Sequence, residues 1–310
     1  MLIRRKLLSA ARCFAAGIDV GPREARIVVV SRKRRANRPV RIEWAGAAPV
    51  PVGAMSGAHI VDRAAVAAAL SSLCARWPRR CAMRGVACSM GIPGGGAVVS
   101  SAVTAAAAPL GERMAAASCV DERGLHAFEE AGRTCWPAPG ARMPAGSHAH
   151  WAARVEAAAA AGIALAGVEE EPRAALRALA YVAEQAHGAD ERCVAMWVGH
   201  GGVHAWRVAD GVVEAAIRFP GGEHPDLESA LRLVAGAHGL DRALVAGDVG
   251  LLERIGLSLA DVGERLGCHA VAFDGAPFCC RRAGIAELTG GRHAATYAVA
   301  FGLALRGVTE

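Results

Sequence analysis

Residues 16–31 read AGIDVGPREARIVVVS, which is two apolar runs on either side of a Gly-Pro turn. Apolar runs bounded by glycine and proline are typical of β-strands joined by a turn. The stretch therefore predicts a hairpin made of strands 16–20 and 26–31. A third apolar run, Arg41–Val52, follows it after a basic loop.

The same order of elements recurs in the second half of the chain. Cys193–Val198 and Val203–Val208 flank a His-Gly-Gly turn, and Val212–Arg218 follows as a third strand. A helix is predicted after the third strand in each half. It follows the N-cap Asp62 in the first half and covers Pro225–Ala235 in the second half. The repetition predicts an α/β protein of two lobes, built from duplicated strand–hairpin–strand–helix units with mixed sheets flanked by helices.

These patterns suggest the boundaries of the domains. We expect a basic N-terminal segment at 1–15, a first lobe at 16–188 and a second lobe at 189–310. Residues 112–150, with clusters of Pro, Gly and His, are predicted to be a small appended subdomain or loop of the first lobe. Residues 294–305 carry no charge, so we expect a last helix there, packed at the lobe interface.

Positive charge is concentrated near the N-terminus. Residues 1–41 carry 12 of the 35 Lys and Arg residues and two acids, which leaves 23 basic against 27 acidic side chains in the remainder. This distribution excludes nucleic acid as an expected partner along the chain. Arg4, Arg5, Lys6 and Arg12 predict either a basic segment on an anionic membrane surface or a solvated tail.

The composition also excludes particular chemistries. Lys6 and Lys33 are the only lysines, and both lie in basic clusters, so P-loop, protein-kinase and Schiff-base lysines are excluded. The ten cysteines are scattered and form no CxxC motif, which predicts free thiols in a reducing compartment.

Three further features have simple structural interpretations. The longest uncharged run, 85–111, contains Pro-Gly-Gly-Gly at its centre and predicts strand–turn–strand rather than a membrane span. Glu169–Glu171 are expected to complement the dipole at the start of a helix over 172–187. His148 and His150 have no acidic or thiol partner nearby in the sequence, so they are predicted to lie in a solvated loop and no metal site is expected.

The two hairpin turns are the candidate ligand site. In such a fold, turn N–H groups can point at a phosphate while a carboxylate beside each turn organises a metal. Asp19 and Gly21 belong to the first turn, although Pro22 removes one N–H group from it. Trp197 stands in the second turn where the first has Asp19. The glycines of the second turn are Gly199, Gly201 and Gly202.

Six short motifs, in order, carry a resemblance to a known family: GIDVG at 17–21, VACSMGIPGGGAVV at 86–99, AAGI at 160–163, GVE at 167–169, IRFPGG at 217–222 and FGLALR at 301–306. Together they resemble the actin-like proteins of the PilM kind. Those proteins are cytoplasmic components of the type IV pilus assembly machinery at the bacterial inner membrane. The resemblance covers about residues 16–306 and implies a two-lobed actin-like fold with reduced peripheral subdomains.

The chain departs from this family where a nucleotide would bind. The resemblance implies Ser or Thr after GIDVG, Asp in the second turn and a double glycine beneath the adenosine. This chain has Pro22, Trp197 and Ala246-Gly247-Asp248 instead, and the helical subdomain that clamps the base is mostly missing. These losses together cost several kcal/mol, taking about 1.5–3 kcal/mol for each hydrogen bond to a charged group.

We therefore expect a degenerate nucleotide site with no catalytic residues, no bound metal and no cofactor. Asp19, Gly21, the three glycines of the second turn and Gly247 are its vestigial residues. Mg-ATP is the alternative cofactor, and it would act through Asp19.

The resemblance implies a scaffold that is peripheral on the inner membrane. Its partners would be the N-terminal cytoplasmic tail of a PilN-like bitopic protein, held in a groove of the first lobe, and other components of the pilus assembly platform. One alternative is an actin-like ATPase or small-molecule kinase that retains ATP. Another is the same scaffold role in a type II secretion or DNA-uptake system.

Overall fold

The computed structural model describes residues 12–33, 39–82, 86–94, 145–187, 191–199, 202–219, 224–236, 239–280, 288 and 291–309. Some predictions fall outside these residues. They concern Arg4, Arg5, Lys6, Gly201, the strand after the Pro-Gly-Gly-Gly turn, and residues 112–144 of the appended subdomain.

The first half of the chain forms a five-stranded mixed sheet. Its strands are β1 (Arg12–Val20), β2 (Glu24–Lys33), β3 (Arg41–Pro49), β6 (Ala87–Ile92) and β7 (Leu165–Glu170), and β4 (Met55–Ser56) with β5 (His59–Ile60) forms a small separate hairpin. The spatial order is β3-β2-β1-β6-β7, with β1, β2 and β3 antiparallel and β1, β6 and β7 parallel. The hairpin predicted from residues 16–31 is confirmed as β1–β2.

The second half repeats this topology. Its strands are β8 (Cys193–Gly199), β9 (Gly202–Ala209), β10 (Val212–Phe219), β11 (Arg242–Gly247) and β12 (His269–Ala272). Their order is β10-β9-β8-β11-β12, again with three antiparallel strands followed by parallel pairing. The predicted α/β fold with two mixed sheets built from duplicated units is confirmed.

Helices flank both sheets. They are α1 (Arg63–Ala75), α2 (Arg79–Ala82), α3 (Ala145–Ala160), α4 (Glu171–His187), α5 (His224–Ala235), α6 (Val249–Arg254), α7 (Leu259–Leu266), α8 (Gly291–Ala295) and α9 (Ala298–Thr309). Asp62 is the N-cap of α1 as predicted, and its carboxylate accepts a hydrogen bond from the Ala65 N–H at 3.0 Å. A short 3₁₀ turn, Ala276–Phe278, follows β12.

Both faces of the first sheet are buried. Ile27 and Val29 enter a core with α1 and α3, whereas Val28 and Val30 enter a larger core shared with α4, α9 and the second sheet. This alternation follows from the two-residue period of a strand. Because the larger core runs from one sheet to the other, the two halves are joined by continuous apolar packing.

Helix α9 is almost entirely buried and lies against β1 and α4. A Cβ added at Gly17 would lie 1.9 Å from the Ala300 carbonyl oxygen, and one at Gly302 would lie 1.8 Å from the Ala174 carbonyl oxygen. Any side chain at either position would push the backbones apart. Gly17, the first residue of the GIDVG motif, is therefore required by helix packing.

Some boundaries differ from the sequence predictions. Strand β1 begins at Arg12, so this arginine is a strand residue rather than part of a separate basic segment. Glu169 and Glu170 end β7, and only Glu171 opens the following helix. His150 lies on α3 instead of in a loop, and its Nδ1 is 3.4 Å from Nδ1 of His59.

Among the described cysteines, the thiols of Cys74, Cys88, Cys193, Cys268 and Cys279 are free. No helix in the described ranges has the length and apolar character needed to span a bilayer.

Candidate functional site

The C-terminal ends of β1, β6 and β7 meet at one edge of the first sheet, since these three strands are parallel. Asp19 is the penultimate residue of β1, Gly91 is the penultimate residue of β6, and Glu171 directly follows β7. Proteins with parallel α/β sheets commonly bind ligands at this edge. The first candidate turn therefore lies where the sequence analysis requires it.

Asp19 is buried and paired with a guanidinium of its own hairpin. The register sets Asp19 opposite Arg26, and Arg26 Nη1 lies 3.6 Å from Asp19 Oδ2. The same guanidinium donates from Nη2 to Glu24 Oε2 at 3.0 Å. Arg26 thus places a positive charge beside the carboxylate that would otherwise organise a metal.

The backbone of the first turn is largely used within the hairpin. The Gly21 N–H donates to the Glu24 carbonyl at 3.0 Å, and the Val50 N–H donates to the Arg23 carbonyl at 2.8 Å. Pro22 has no N–H to donate. A Cβ at Gly21 would meet only ordinary contacts, the nearest at 3.5 Å, so packing within the described residues does not require glycine there.

Arg154 on α3 is fully buried at the same edge. Its Nε donates to the Gly91 carbonyl at 2.6 Å, and its Nη2 donates to the Ala58 carbonyl at 3.1 Å. Nη2 also lies 3.8 Å from Glu171 Oε1. One guanidinium thus ties α3 to β6, to the loop of the β4–β5 hairpin and to α4.

Asp19, Arg154 and Glu171 form one electrostatic group. Burial lowers the pKa of Arg154, while Glu171 and Asp19 raise it. Burial and the Asp19 charge raise the pKa of Glu171 to about 8, against the opposing effect of Arg154. Glu171 therefore keeps its proton to a higher pH than an ordinary glutamate does.

Aromatic rings lie on the two strands that flank the second turn, in β8 and β9. Gly21 faces Glu24 across the first turn, and Gly199 faces Gly202 across the second. Asp19 lies two residues before Gly21, and Trp197 lies two residues before Gly199. Trp197 therefore occupies the position equivalent to that of Asp19. The indole of Trp197 lies against Gly199. A Cβ added at Gly199 would be only 2.3 Å from Trp197 Cη2.

Two more rings continue the aromatic cluster across β9. The ring centroid of His204 lies 5.5 Å from that of Trp197 and 5.8 Å from that of Trp206. Burial, with a smaller effect of Arg218, lowers the pKa of His204 to about 3. His204 is therefore neutral near pH 7 and offers no positive charge to an anion.

The other predicted glycines have structural roles. Gly202 has φ +111° and pairs with Gly199 at the start of β9. Gly247 has φ +91°, and a Cβ there would lie 2.0 Å from the Val198 carbonyl oxygen. Both need glycine for conformation or close approach. The structure thus groups Gly199, Gly202 and Gly247 at one end of the second sheet.

A second ionic group joins the two halves of the molecule. The buried carboxylate of Glu169 accepts two hydrogen bonds from Arg177, at 2.6 and 2.8 Å, and lies 3.6 Å from Arg306 Nη1 on α9. Burial raises the pKa of the adjacent Glu170, whereas Arg173 and Arg218 of β10 lower it. First-half carboxylates therefore interact with a second-half cation.

The sequence analysis did not identify Arg26, Arg154 or Glu171 as site residues. Arg26 could have been found from the hairpin register, since antiparallel pairing about the predicted turn places it opposite Asp19. Arg154 and Glu171 carry no local signal. Arg12, predicted to be a membrane-surface residue, lies at the opposite end of β1 and donates from Nε to Ser31 Oγ at 2.8 Å.

Within the described ranges, no three His, Cys, Asp or Glu side chains cluster closely enough to hold a metal ion. At the first turn, Asp19 and Glu24 are instead paired with Arg26. Beside the second turn, the rings of Trp197, His204 and Trp206 form an aromatic cluster.

No protein-family model and no curated protein matches the sequence. Solved structures do match. The structure of a PilM–PilN type IV pilus biogenesis complex aligns with a TM-score of 0.58 and 15% identity, covering 96% of this chain and 99% of that chain. Ethanolamine utilization protein EutJ from Carboxydothermus hydrogenoformans aligns at 0.44 and 15%, covering 94% and 89%. Inorganic polyphosphate/ATP-glucomannokinase from Arthrobacter sp. strain KM aligns at 0.46 and 14%, covering 95% and 98%. The chain has the actin-like ATPase fold.

Proposed function

We propose that this chain is a non-enzymatic scaffold of the PilM kind, cytoplasmic and peripheral on the inner membrane. In this role it binds the N-terminal cytoplasmic tail of a PilN-like bitopic protein within a pilus assembly platform. The observation that carries the proposal is that the chain's own side chains occupy the space beside Asp19 and beside Gly199. Arg26 sits beside Asp19, and Trp197 folds over Gly199.

The energetics of the first turn favour a scaffold over a nucleotide switch. A magnesium ion at Asp19 must displace or repel the Arg26 guanidinium, and the Gly21 N–H must leave the Glu24 carbonyl before it can meet a phosphate. Each hydrogen bond to a charged group is worth about 1.5–3 kcal/mol, and 1.4 kcal/mol is a tenfold change in affinity. Losing two or three such interactions turns a micromolar site into a millimolar one.

The partner class is supported by the fold and by the ordered motifs. The alignment with the PilM–PilN structure covers nearly the whole of this chain and of that chain, at a TM-score of 0.58. A cytoplasmic tail can dock in extended form through main-chain hydrogen bonds and apolar pockets, which needs no nucleotide.

Calorimetric titration with Mg-ATP tests the absence of a nucleotide site. We expect no binding heat up to millimolar ATP for the wild type, for Asp19→Ala and for Arg26→Gln, all of which should remain folded. Micromolar binding that Asp19→Ala abolishes would overturn the non-enzymatic role.

Peptide binding tests the partner separately. Synthetic N-terminal tails of bitopic membrane proteins encoded beside this gene are titrated by fluorescence anisotropy, with scrambled peptides as controls. Saturable binding of a tail but not of its scrambled form is expected. The system to which the neighbouring genes belong separates a pilus from type II secretion or DNA uptake.

A second candidate function is an ATP-dependent enzyme, and one observation favours it. Gly21 has ordinary space around its Cβ position, so its lack of a side chain is suited to close approach of a ligand. Asp19 and Glu171 would be the carboxyl groups nearest to that ligand. The enzyme predicts ATP hydrolysis or phosphoryl transfer that is lost in Asp19→Ala, which a phosphate-release assay measures.

A further inference from the structure

A cavity of 430 Å³ lies at the end of the first sheet opposite Asp19. The start of β1, the end of β2 and the start of β3 meet there, because the three strands are antiparallel neighbours. The 3₁₀ turn after β12 closes the other side. The Cys280 N–H donates to the Ile42 carbonyl at 3.0 Å, which attaches this turn to the edge of β3. The volume falls within the range of about 300–1,000 Å³ typical of small-molecule sites.

Each of the three strands contributes one cation to the lining, namely Arg12, Lys33 and Arg41. The Glu43 carboxylate behind them is buried, accepts a hydrogen bond from Ser31 Oγ at 2.6 Å, and lies 3.8 Å from Nε of both arginines. The nearby Asp274 carboxylate accepts a hydrogen bond from the Ala276 N–H at 2.8 Å. Since the described lining residues include three cations and no carboxylate, the cavity favours a negatively charged ligand.

The remaining lining is apolar or weakly polar, and its members are Pro39, Val40, Pro277, Phe278, Cys279 and Cys280. The two adjacent thiols do not favour a metal. Burial, with Asp274 and Cys280, raises the pKa of Cys279 to about 11, and cations line the same space. A charged group at the strand ends and an apolar body against the wall of the 3₁₀ turn would satisfy both parts of the cavity.

We propose that this cavity binds a phosphate ester that carries an apolar substituent, with the phosphate held by Arg12, Lys33 and Arg41 and the substituent packed against Phe278. Either a phospholipid head group or a soluble organic phosphate has this chemistry. The site uses no residue of the two hairpin turns, so its test does not depend on the outcome of the Mg-ATP titration.

Titration with phenyl phosphate, compared with inorganic phosphate, tests the ligand class. The test variant is Lys33→Gln with Arg41→Gln, since both side chains are exposed and can be replaced without opening the core. The matched control is Arg232→Gln, an exposed arginine on α5. Phenyl phosphate is expected to bind the wild type and the control more tightly than inorganic phosphate does. The double variant should bind it at least about tenfold more weakly, since each well-placed cation contributes about 1 kcal/mol.

Mapping of thiol alkylation by mass spectrometry locates the ligand. Saturating phenyl phosphate should slow alkylation of Cys279, which lines the cavity, and leave Cys74 on α1 unaffected. Equal phenyl phosphate affinity in the double variant, or no protection of Cys279, overturns the proposal.

Sedimentation with phosphatidylcholine vesicles, with and without phosphatidylglycerol, distinguishes the two sources. A lipid head group requires that the double variant sediments less with the anionic vesicles than the control does. A soluble ester requires equal sedimentation of the two variants while the loss of phenyl phosphate binding persists.

Discussion

The two hairpin turns occupy equivalent places in sheets of the same topology. An ion pair lies beside the first turn, whereas aromatic rings pack beside the second. Asp19 meets Arg26 in the first turn, and Trp197 takes the same position in the second. The backbone unit has kept its strand order and pairing while its side chains have taken different packing solutions. The same backbone topology therefore accommodates different side chains at equivalent turns.

The largest expected effect comes from the charges of the first half. Arg154→Met removes a fully buried guanidinium that bonds two carbonyls, and leaves Glu171 and both carbonyls without it. We expect a loss of about 3–5 kcal/mol in the free energy of unfolding. Urea denaturation measures this loss against Arg232→Met, where the arginine is exposed and the change should stay within about 0.5 kcal/mol. Equal effects of the two substitutions would mean that the first edge does not depend on its buried charge.

The aromatic packing of the second turn predicts a smaller, conditional effect. Gly199→Ala places a Cβ against the Trp197 ring and should cost about 1–3 kcal/mol by overpacking. In a Trp197→Leu background the same substitution should cost less, with a coupling of at least about 0.5 kcal/mol. A thermal or urea double-mutant cycle measures that coupling, and strict additivity would show that the ring does not set the need for glycine.

The stability contributed near each turn should change with pH in opposite directions, and Glu171 represents the first. Burial and the charge of Asp19 raise the folded pKa of Glu171 to about 8, above the ordinary pKa of a glutamate. Its contribution to stability is therefore full below pH 4.5 and is lost as pH rises towards 8. Glu171→Gln should remove this loss, so the variant gains stability relative to wild type between pH 5 and 8. Urea denaturation of both proteins at several pH values measures this difference. If the free energies of unfolding of the two proteins change with pH in parallel, Glu171 ionises normally.

The mildest effect is expected at His204, in the acid range. Burial, with a smaller effect of Arg218, lowers its folded pKa to about 3, below the ordinary pKa of a histidine. The stability linked to this group is therefore full above pH 6.5 and is lost as pH falls towards 3. His204→Gln should flatten that acid limb and leave the interval from pH 7 to 8 unchanged. A variant that tracks wild type down to pH 4 would contradict burial of the imidazole.

Much of the fold could be predicted because its signals are local. The two hairpins and the Asp62 cap depend on consecutive residues, and the repeated order of strands indicates the duplicated α/β topology. A single last helix was predicted at 294–305, but the structure divides this stretch between α8 (Gly291–Ala295) and α9 (Ala298–Thr309), and α9 includes Arg306. The first site was only half predictable. Asp19 and Gly21 lie in one motif, but Arg154 reaches the same edge of the sheet from α3, and nothing in its local sequence distinguishes it from an exposed helix arginine.

Long-range geometry also explains the misplaced glutamates. Glu169 and Glu170 look like helix-start acids because they precede an apolar periodic segment with a proline at its beginning. In the folded chain Glu169 instead meets Arg177 of α4 and Arg306 of α9. Its role depends on a residue far along the chain, so no local pattern reveals it.

The close packing of α9 on β1 and α4 has a consequence for the order of folding during synthesis. Residues 298–309 leave the ribosome after every other described element, yet Gly17 and Ala174 need them as neighbours. One face of the first sheet must therefore stay uncovered while the whole second half is translated, which exposes apolar surface for seconds. The first half cannot mature as an independent unit, and its final packing waits for a helix encoded at the other end of the chain.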